Sequence, residues 1–132
     1  KISETEAKKW EKKMKNRAFS KKWLKAHKYC VIATSFRDKP WAATVNYVVD
    51  NDFNILISSR PNSLKFQNIL KNSTICLVID DQTREGTLQI QGIAKPVKSK
   101  TQEEPNLLVK PKFLTFLKKE KLGNLKRITL RI

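Results

Sequence analysis

Apolar residues follow two different rhythms along this chain. Up to about residue 28 they are sparse and spaced three or four apart; from Tyr29 onward they alternate or run in short blocks. The first rhythm predicts helix and the second predicts strands. Ser3-Glu4-Thr5-Glu6 fits a capping box, with Ser3 as N-cap and Glu6 reaching back. Trp10 and Met14 then form a narrow apolar stripe on a Lys-rich helix. A second helix start is predicted at Ser20, with Phe19 and Leu24 as a hydrophobic staple and a face of Trp23, Leu24 and His27 ending near Lys28.

YCVIATSF (29–36) is a nearly continuous apolar run, expected of a strand covered on both faces. A turn over Arg37-Asp38-Lys39-Pro40 leads into WAATVNYVV (41–49), which puts Trp41, Ala43, Val45, Tyr47 and Val49 on one side and Thr44 and Asn46 on the other. Asp50-Asn51-Asp52 turns the chain into FNILIS (53–58). Connections this short join antiparallel strands, because parallel neighbours need a crossover of about a dozen residues or more. Ser63 caps a helix whose buried face is Phe66, Ile69 and Leu70. Next come TICLVID (74–80), a polar loop over 81–86 and TLQIQGIAKPV (87–97). A polar stretch from Lys98 to Asn106, then strands at 112–117 and 125–132 around a Lys/Gly turn, complete the pattern. The expected architecture is mainly β (α+β): a small antiparallel barrel with flanking helices, since closure removes exposed sheet edges. Residues 1–28 are expected to pack as a helical segment on a barrel domain spanning 29–132.

Composition narrows the function. The three glycines, Gly86, Gly92 and Gly123, are too dispersed for a dinucleotide fingerprint or a Walker loop. One histidine, His27, excludes metal sites needing two imidazoles, and no metal is expected. Cys30 and Cys76 each sit in an apolar run and read as reduced core thiols. No apolar run is long enough to span a bilayer and no export signal opens the sequence, so a cytoplasmic protein without a membrane partner is expected. Trp23 and Trp41 are expected in the core. Lys and Arg number 28 against 12 Asp and Glu, a formal +16 that calls for an anionic partner of some kind.

ISSRPNSLKFQN (57–68) is the segment richest in chemistry. A strand ends in two hydroxyls, passes Arg60 and a Pro-Asn turn, and enters a helix whose start carries Ser63 and Lys65. Helix N-termini offer unpaired N–H groups and the positive dipole end, so Ser59, Arg60, Ser63 and Lys65 can form a phosphate cradle. The plainer alternative leaves Ser63 as a cap and the cations solvated.

In order, KPWAATVNYVVD, NILISS, RPNS, LKFQNILKNSTICLVID and TLQIQGIAKP resemble the FMN-binding split-barrel family related to pyridoxamine 5′-phosphate oxidase, over about residues 20–97. The resemblance implies a split β-barrel homodimer with FMN in the groove between subunits. Carried over by position, Ser58 and Ser59 meet the ribityl and phosphate, and Ser63 and Lys65 bind the phosphate. Thr44, Val45 and Asn46 lie against the ring with backbone N–H and C=O at its pyrimidine edge, and Gln89 approaches from the side or from the partner. Leu64 and Ala43 stand where the oxidase has arginines, with Arg60 as a candidate replacement charge, and the Arg and His that hold the oxidase's substrate have no counterpart. The stretch 98–111 is short beside the helical excursion of such relatives.

The resulting expectation is an FMN-dependent oxidoreductase passing hydride or electrons to an unidentified small molecule. No catalytic side chain is legible, which suits a protein whose cofactor carries the electron chemistry. Two alternatives stand beside it. One is a basic β-barrel binding nucleic acid nonspecifically, a sequence-specific reader not being expected. The other is the same barrel holding deazaflavin or haem.

Overall fold

The structure is a computed structural model that describes residues 3–80, 86–98, 106–119 and 125–131. The polar loop at 81–85, the segment 99–105, the turn around Gly123 and the side chains of Trp10 and Met14 lie outside the described residues.

Helix α1 (Glu4–Ala26) precedes strands β1 (Tyr29–Phe36), β2 (Lys39–Val49) and β3 (Ile55–Ser58). Helix α2 (Leu64–Lys71) leads to β4 (Thr74–Asp80), β5 (Gly86–Val97), β6 (Asn106–Lys119) and β7 (Leu125–Arg131). The sheet runs β3-β2-β1-β4-β5-β6-β7, and a further β3–β6 pairing closes six strands into an antiparallel barrel, with β7 attached outside on β6. Inward positions alternate along every wall: Cys30 and Ile32, Val45 and Tyr47, Ile55 and Ile57, Ile75, Leu77 and Ile79, Leu88 and Ile90.

Strand β6 serves two partners on one edge. Its first residues pair with β3 (Ile55↔Val109 to Ser58↔Asn106) and its last with β7, while β5 runs along the other edge. The switch occurs at a bulge, where the register slips between Gln91↔Phe113 and Gly92↔Pro111 and skips Lys112. The extra residue inverts the alternation, so Leu107 and Val109 point inward before it and Leu114 and Phe116 after it. That inversion, with a proline in it, hides the 106–111 half of the strand from a period-two reading; the polar stretch expected up to Asn106 ends where β6 begins.

Other expectations are corrected. The N-terminal segment is one 23-residue helix rather than two: Ser3 caps it through Glu6 N–H (3.2 Å), whereas Ser20 lies inside it, buried against the barrel. The first hairpin turn has two residues, Arg37 and Asp38, both left-handed (φ 51° and 61°), and Pro40 belongs to β2 opposite Ser35. Strand β3 starts at Ile55; Phe53, at φ 67°, reaches the core from the preceding turn, which Asp50 holds by accepting from Asp52 N–H (2.9 Å) and Asn54 N–H (2.8 Å). Leu70 is exposed, and α2 instead buries Asn68 beside Phe66 and Ile69, its amide donating to Thr34 Oγ1 (3.1 Å). Strand β1 is covered on one face only, leaving Tyr29 and Val31 open; Trp41 is exposed as well.

The barrel is plugged at the end where β1 begins by the second half of α1. Leu24 is fully buried, Trp23 Nε1 donates to Ile79 O (3.1 Å), and Phe19 and Trp23 both meet the Phe116 ring edge-on. Tyr47 donates its hydroxyl to Leu24 O (2.6 Å). Beside it, burial pushes the Cys30 thiol from 9.0 up to about 12. Above pH 9 the unfolded thiol loses its proton while the folded one keeps it, so stability falls as pH rises through that window. Denaturant unfolding of wild type should therefore lose up to about 1.4 kcal/mol per pH unit more than Cys30→Ala between those two pKa values. Equal slopes would show that the thiol ionises freely in the fold.

Candidate functional site

Strand β3 ends after four residues, and the chain then makes a tightly bonded corner. Ser63 N–H donates to Arg60 O (3.1 Å), and Ser63 Oγ donates to the same carbonyl (2.8 Å) while accepting from Phe66 N–H (3.3 Å). Buried Ser59 places its Oγ 3.2 Å from Ser63 Oγ, and Gln67 Nε2 donates to Pro61 O (2.7 Å). Ser63 is thus the N-cap of α2, with its single proton already committed to a carbonyl. The N–H groups of Leu64 and Lys65, which helix geometry leaves without intrahelical acceptors, are donors this corner could offer an anion. The first turn of α2 holds no acidic residue to neutralise the dipole, while Arg60 is exposed and Lys65 half-buried at its rim. At the helix's other end Asn72 donates to Ser35 O (3.1 Å) and accepts from Thr74 N–H (3.2 Å), fixing α2 between β1 and β4.

The early end of β3 also exposes an edge of β2. Pairing between the two reaches only from Val49↔Ile55 to Tyr47↔Ile57, and among the described residues no strand lies along residues 39–46 on the side away from β1. Tyr47 N–H donates to Lys28 O (3.0 Å), which marks that pair as the hydrogen-bonded kind and sets the alternation. Val45 accordingly spends its N–H and C=O on β1 and its side chain in the core. Thr44 turns its N–H and C=O to the open edge, and Asn46 stands at the margin of the β3 pairing. Pro40 falls on the same alternate positions, where a missing N–H costs no ladder bond.

Of the residues singled out from sequence, Ser58, Ser59, Arg60, Ser63 and Lys65 gather at the β3–α2 corner, next to Asn46 and Thr44. Gln89 does not join them. It lies exposed on β5, and the register Thr44↔Val31, Val31↔Val78, Val78↔Gln89 separates it from Thr44 by three strand spacings. That distance is ~14 Å along the outer wall. The same wall leaves Tyr29, Val31, Ile93 and Phe113 exposed. His27 sits far from the corner, at the end of α1, stacked on Trp23 (4.6 Å between centroids) with Nδ1 2.7 Å from Trp23 O. Periodicity alone does not show the open β2 edge, which the resemblance implies through the backbone of Thr44, Val45 and Asn46. Of the three, Val45 turns its backbone to β1 instead. The edge's one trace in the residue pattern is Pro40 inside an otherwise regular strand. Among the described residues no group of His, Cys, Asp and Glu could hold a metal ion, and no helix is long and apolar enough to cross a membrane.

A closed barrel with an interrupted strand pairing beside a capped, electropositive helix start is the architecture of a split barrel. Residues 18–125 match the family described as Pyridoxamine 5′-phosphate oxidase, and the chain belongs to that family. Solved structures agree at the level of fold. A Clostridium acetobutylicum protein related to general stress protein 26, of the pyridoxinephosphate oxidase family, aligns over 87% of this chain and 93% of its own (TM-score 0.70, 15% identity). General Stress Protein 26 from Bacillus anthracis aligns over 86% and 98% (TM-score 0.66, 15% identity). The FAD binding protein from Mycobacterium smegmatis aligns over 75% and 90% (TM-score 0.60, 18% identity). No curated protein matches the sequence.

Proposed function

We propose that this protein binds FMN at the β3–α2 corner and works as a homodimeric oxidoreductase delivering hydride or electrons to a small acceptor. The observation that carries the reading is the pairing of two unlike features: an electropositive helix start for a phosphate, and an unpaired strand edge at Thr44 for a flat heterocycle with alternating donors and acceptors. The Mycobacterium smegmatis neighbour, named as an FAD binding protein, supports a flavin. The match to the pyridoxamine 5′-phosphate oxidase family, whose FMN-binding members the sequence resembles, supports the mononucleotide.

FMN, when bound, supplies the reversible acceptance of hydride. The chain's own contribution is position and field. The Leu64 and Lys65 N–H groups and the Lys65 ammonium hold the phosphate, with Arg60 adding charge from the loop. The N–H and C=O of Thr44, turned to the open edge, would hold the polar edge of the ring, where a donor favours added negative charge. The exposed apolar residues Tyr29, Val31, Ile93 and Phe113 support a second subunit against this wall, whose Gln89 would then reach the groove that its own chain's Gln89 cannot.

Purified protein should be yellow, or should quench FMN fluorescence on titration and gain about 2.7 kcal/mol of stability at a hundredfold excess over Kd. Lys65→Ala should raise Kd by about tenfold, and Ser63→Ala with Lys65→Ala by more, since the cap organises the corner. A colourless protein that neither binds FMN nor is stabilised by it overturns the proposal. A haem spectrum in the isolated protein overturns it as well.

A further inference from the structure

The two halves of α1 present different chemistry along one continuous face. Counted from its C-terminal end in steps of three or four residues, the side that meets the barrel reads His27, Leu24, Trp23, Ser20 and Asn16, all buried or half-buried. The next positions of the same stripe are Lys13, Lys12 and Lys9, all exposed. The helix therefore leaves the barrel after Asn16 carrying a lysine seam in place of an apolar one. Over Glu4–Ala26 nine Lys and Arg stand against three Glu. Two of the cations, Lys21 and Lys25, are tied to Asn51; Lys8, Lys9, Lys12, Lys13 and Lys15 are all exposed. Next to the helix, on β7, Arg127 and Arg131 are exposed too.

We infer that the projecting half of α1 is a docking arm for a nucleic-acid phosphate backbone, bound without regard to sequence. Charge density selects this occupant. Five lysines within eight residues occupy ~12 Å of helix axis, matching a polymer that carries a charge every few ångströms better than carboxylates scattered on a globular partner. A second copy of this chain is not the occupant of the lysine seam, where it would set like charge against like; the homodimer proposed above uses the apolar wall instead. An anionic membrane fits less well. A helix lying in the interface inserts a broad apolar face, and this half has only Trp10 and Met14 to offer. The arm and the flavin corner are at different ends of the barrel, α1 plugging the end where β1 begins and α2 bonding to Thr34 and Ser35 at the other.

The test measures fluorescence anisotropy of a labelled oligouridine against the whole chain over a range of salt concentrations. Wild type should bind at low salt with a log–log slope that Lys9→Glu, Lys12→Glu and Lys13→Glu together reduce by about 2, since each phosphate contact contributes ~0.7 on single strands. At fixed low salt the same triple variant should weaken binding about tenfold or more while keeping the wild-type melting temperature and FMN affinity. A control triple, Lys95→Glu, Lys98→Glu and Lys110→Glu, removes the same charge from exposed positions on the barrel and should leave binding near wild type. Equal losses in both triples would overturn the arm, reducing it to net charge. So would no binding at low salt, or binding confined to phosphatidylserine vesicles.

Discussion

Gly92→Val should leave little or no folded protein, and Gly92→Ala should cost about 3 kcal/mol or more in denaturant unfolding. A Cβ built on Gly92 would sit 2.5 Å from Lys110 O and 3.2 Å from both Lys110 C and Pro111 Cα. All three are main-chain atoms of the strand opposite, so no side chain can swing away to make room. The position is also the corner where β6 exchanges one partner for another, and Lys112 is skipped there. Pushing the strands apart at this point would disturb the β3–β6 closure and the β6–β7 pairing together. Gly86→Ala makes the contrast. Its nearest obstacle is the Phe116 Cζ at 2.8 Å, the far end of a side chain, with the main-chain Leu117 O less tightly placed at 3.0 Å, and a loss of about 1–2 kcal/mol is expected. If Gly92→Ala proves as mild as Gly86→Ala, the bulge is more plastic than the close approach implies.

Trp23→Ala should destabilise the protein by about 3–4 kcal/mol, more than expected for a residue on a helix outside the barrel. Its indole spans three partners: the Ile79 carbonyl, the Phe116 ring at 5.1 Å and the His27 ring. Truncation removes that area and takes away a second donor from a carbonyl at the end of β4 that also lies in a hydrogen-bonded pair with Leu88 on β5. Trp23→Phe keeps much of the ring contact and loses only the N–H, and about 1 kcal/mol is expected. The interval between the two variants, read from chemical unfolding, separates packing from the hydrogen bond. A neutral Trp23→Ala would mean that α1 rests on the barrel without completing its core.

Much of this architecture is legible in the chain because most strands keep a clean alternation and most turns are short and polar. Strands β1, β4 and the long β5 fall within a residue of where the pattern puts them. The misreadings share a cause: a local signal displaced by a tertiary one. Ser20 has the chemistry of an N-cap, yet a helix already running buries it. Leu70 is the apolar choice for α2, but Thr34 across the interface offers Asn68 a hydrogen bond and the amide goes inside. Pro111 argues against a strand until Gly92 is seen opposite, where the bulge requires an irregular residue. At the corner, residue types alone point to the proposed anion cradle. The strand edge beside it depends on where β3 stops, and that is a property of pairing rather than of composition.

The shortest strand among the described residues is also the seam of the barrel. Four residues, Ile55–Ser58, stitch β2 to β6, and without them the six-stranded wall is an open ribbon. The stitch runs straight into Ser59 and the proposed anion cradle. A ligand at the proposed cradle would therefore bear on the short strand that closes the wall, so its occupancy and the integrity of the cylinder would be linked.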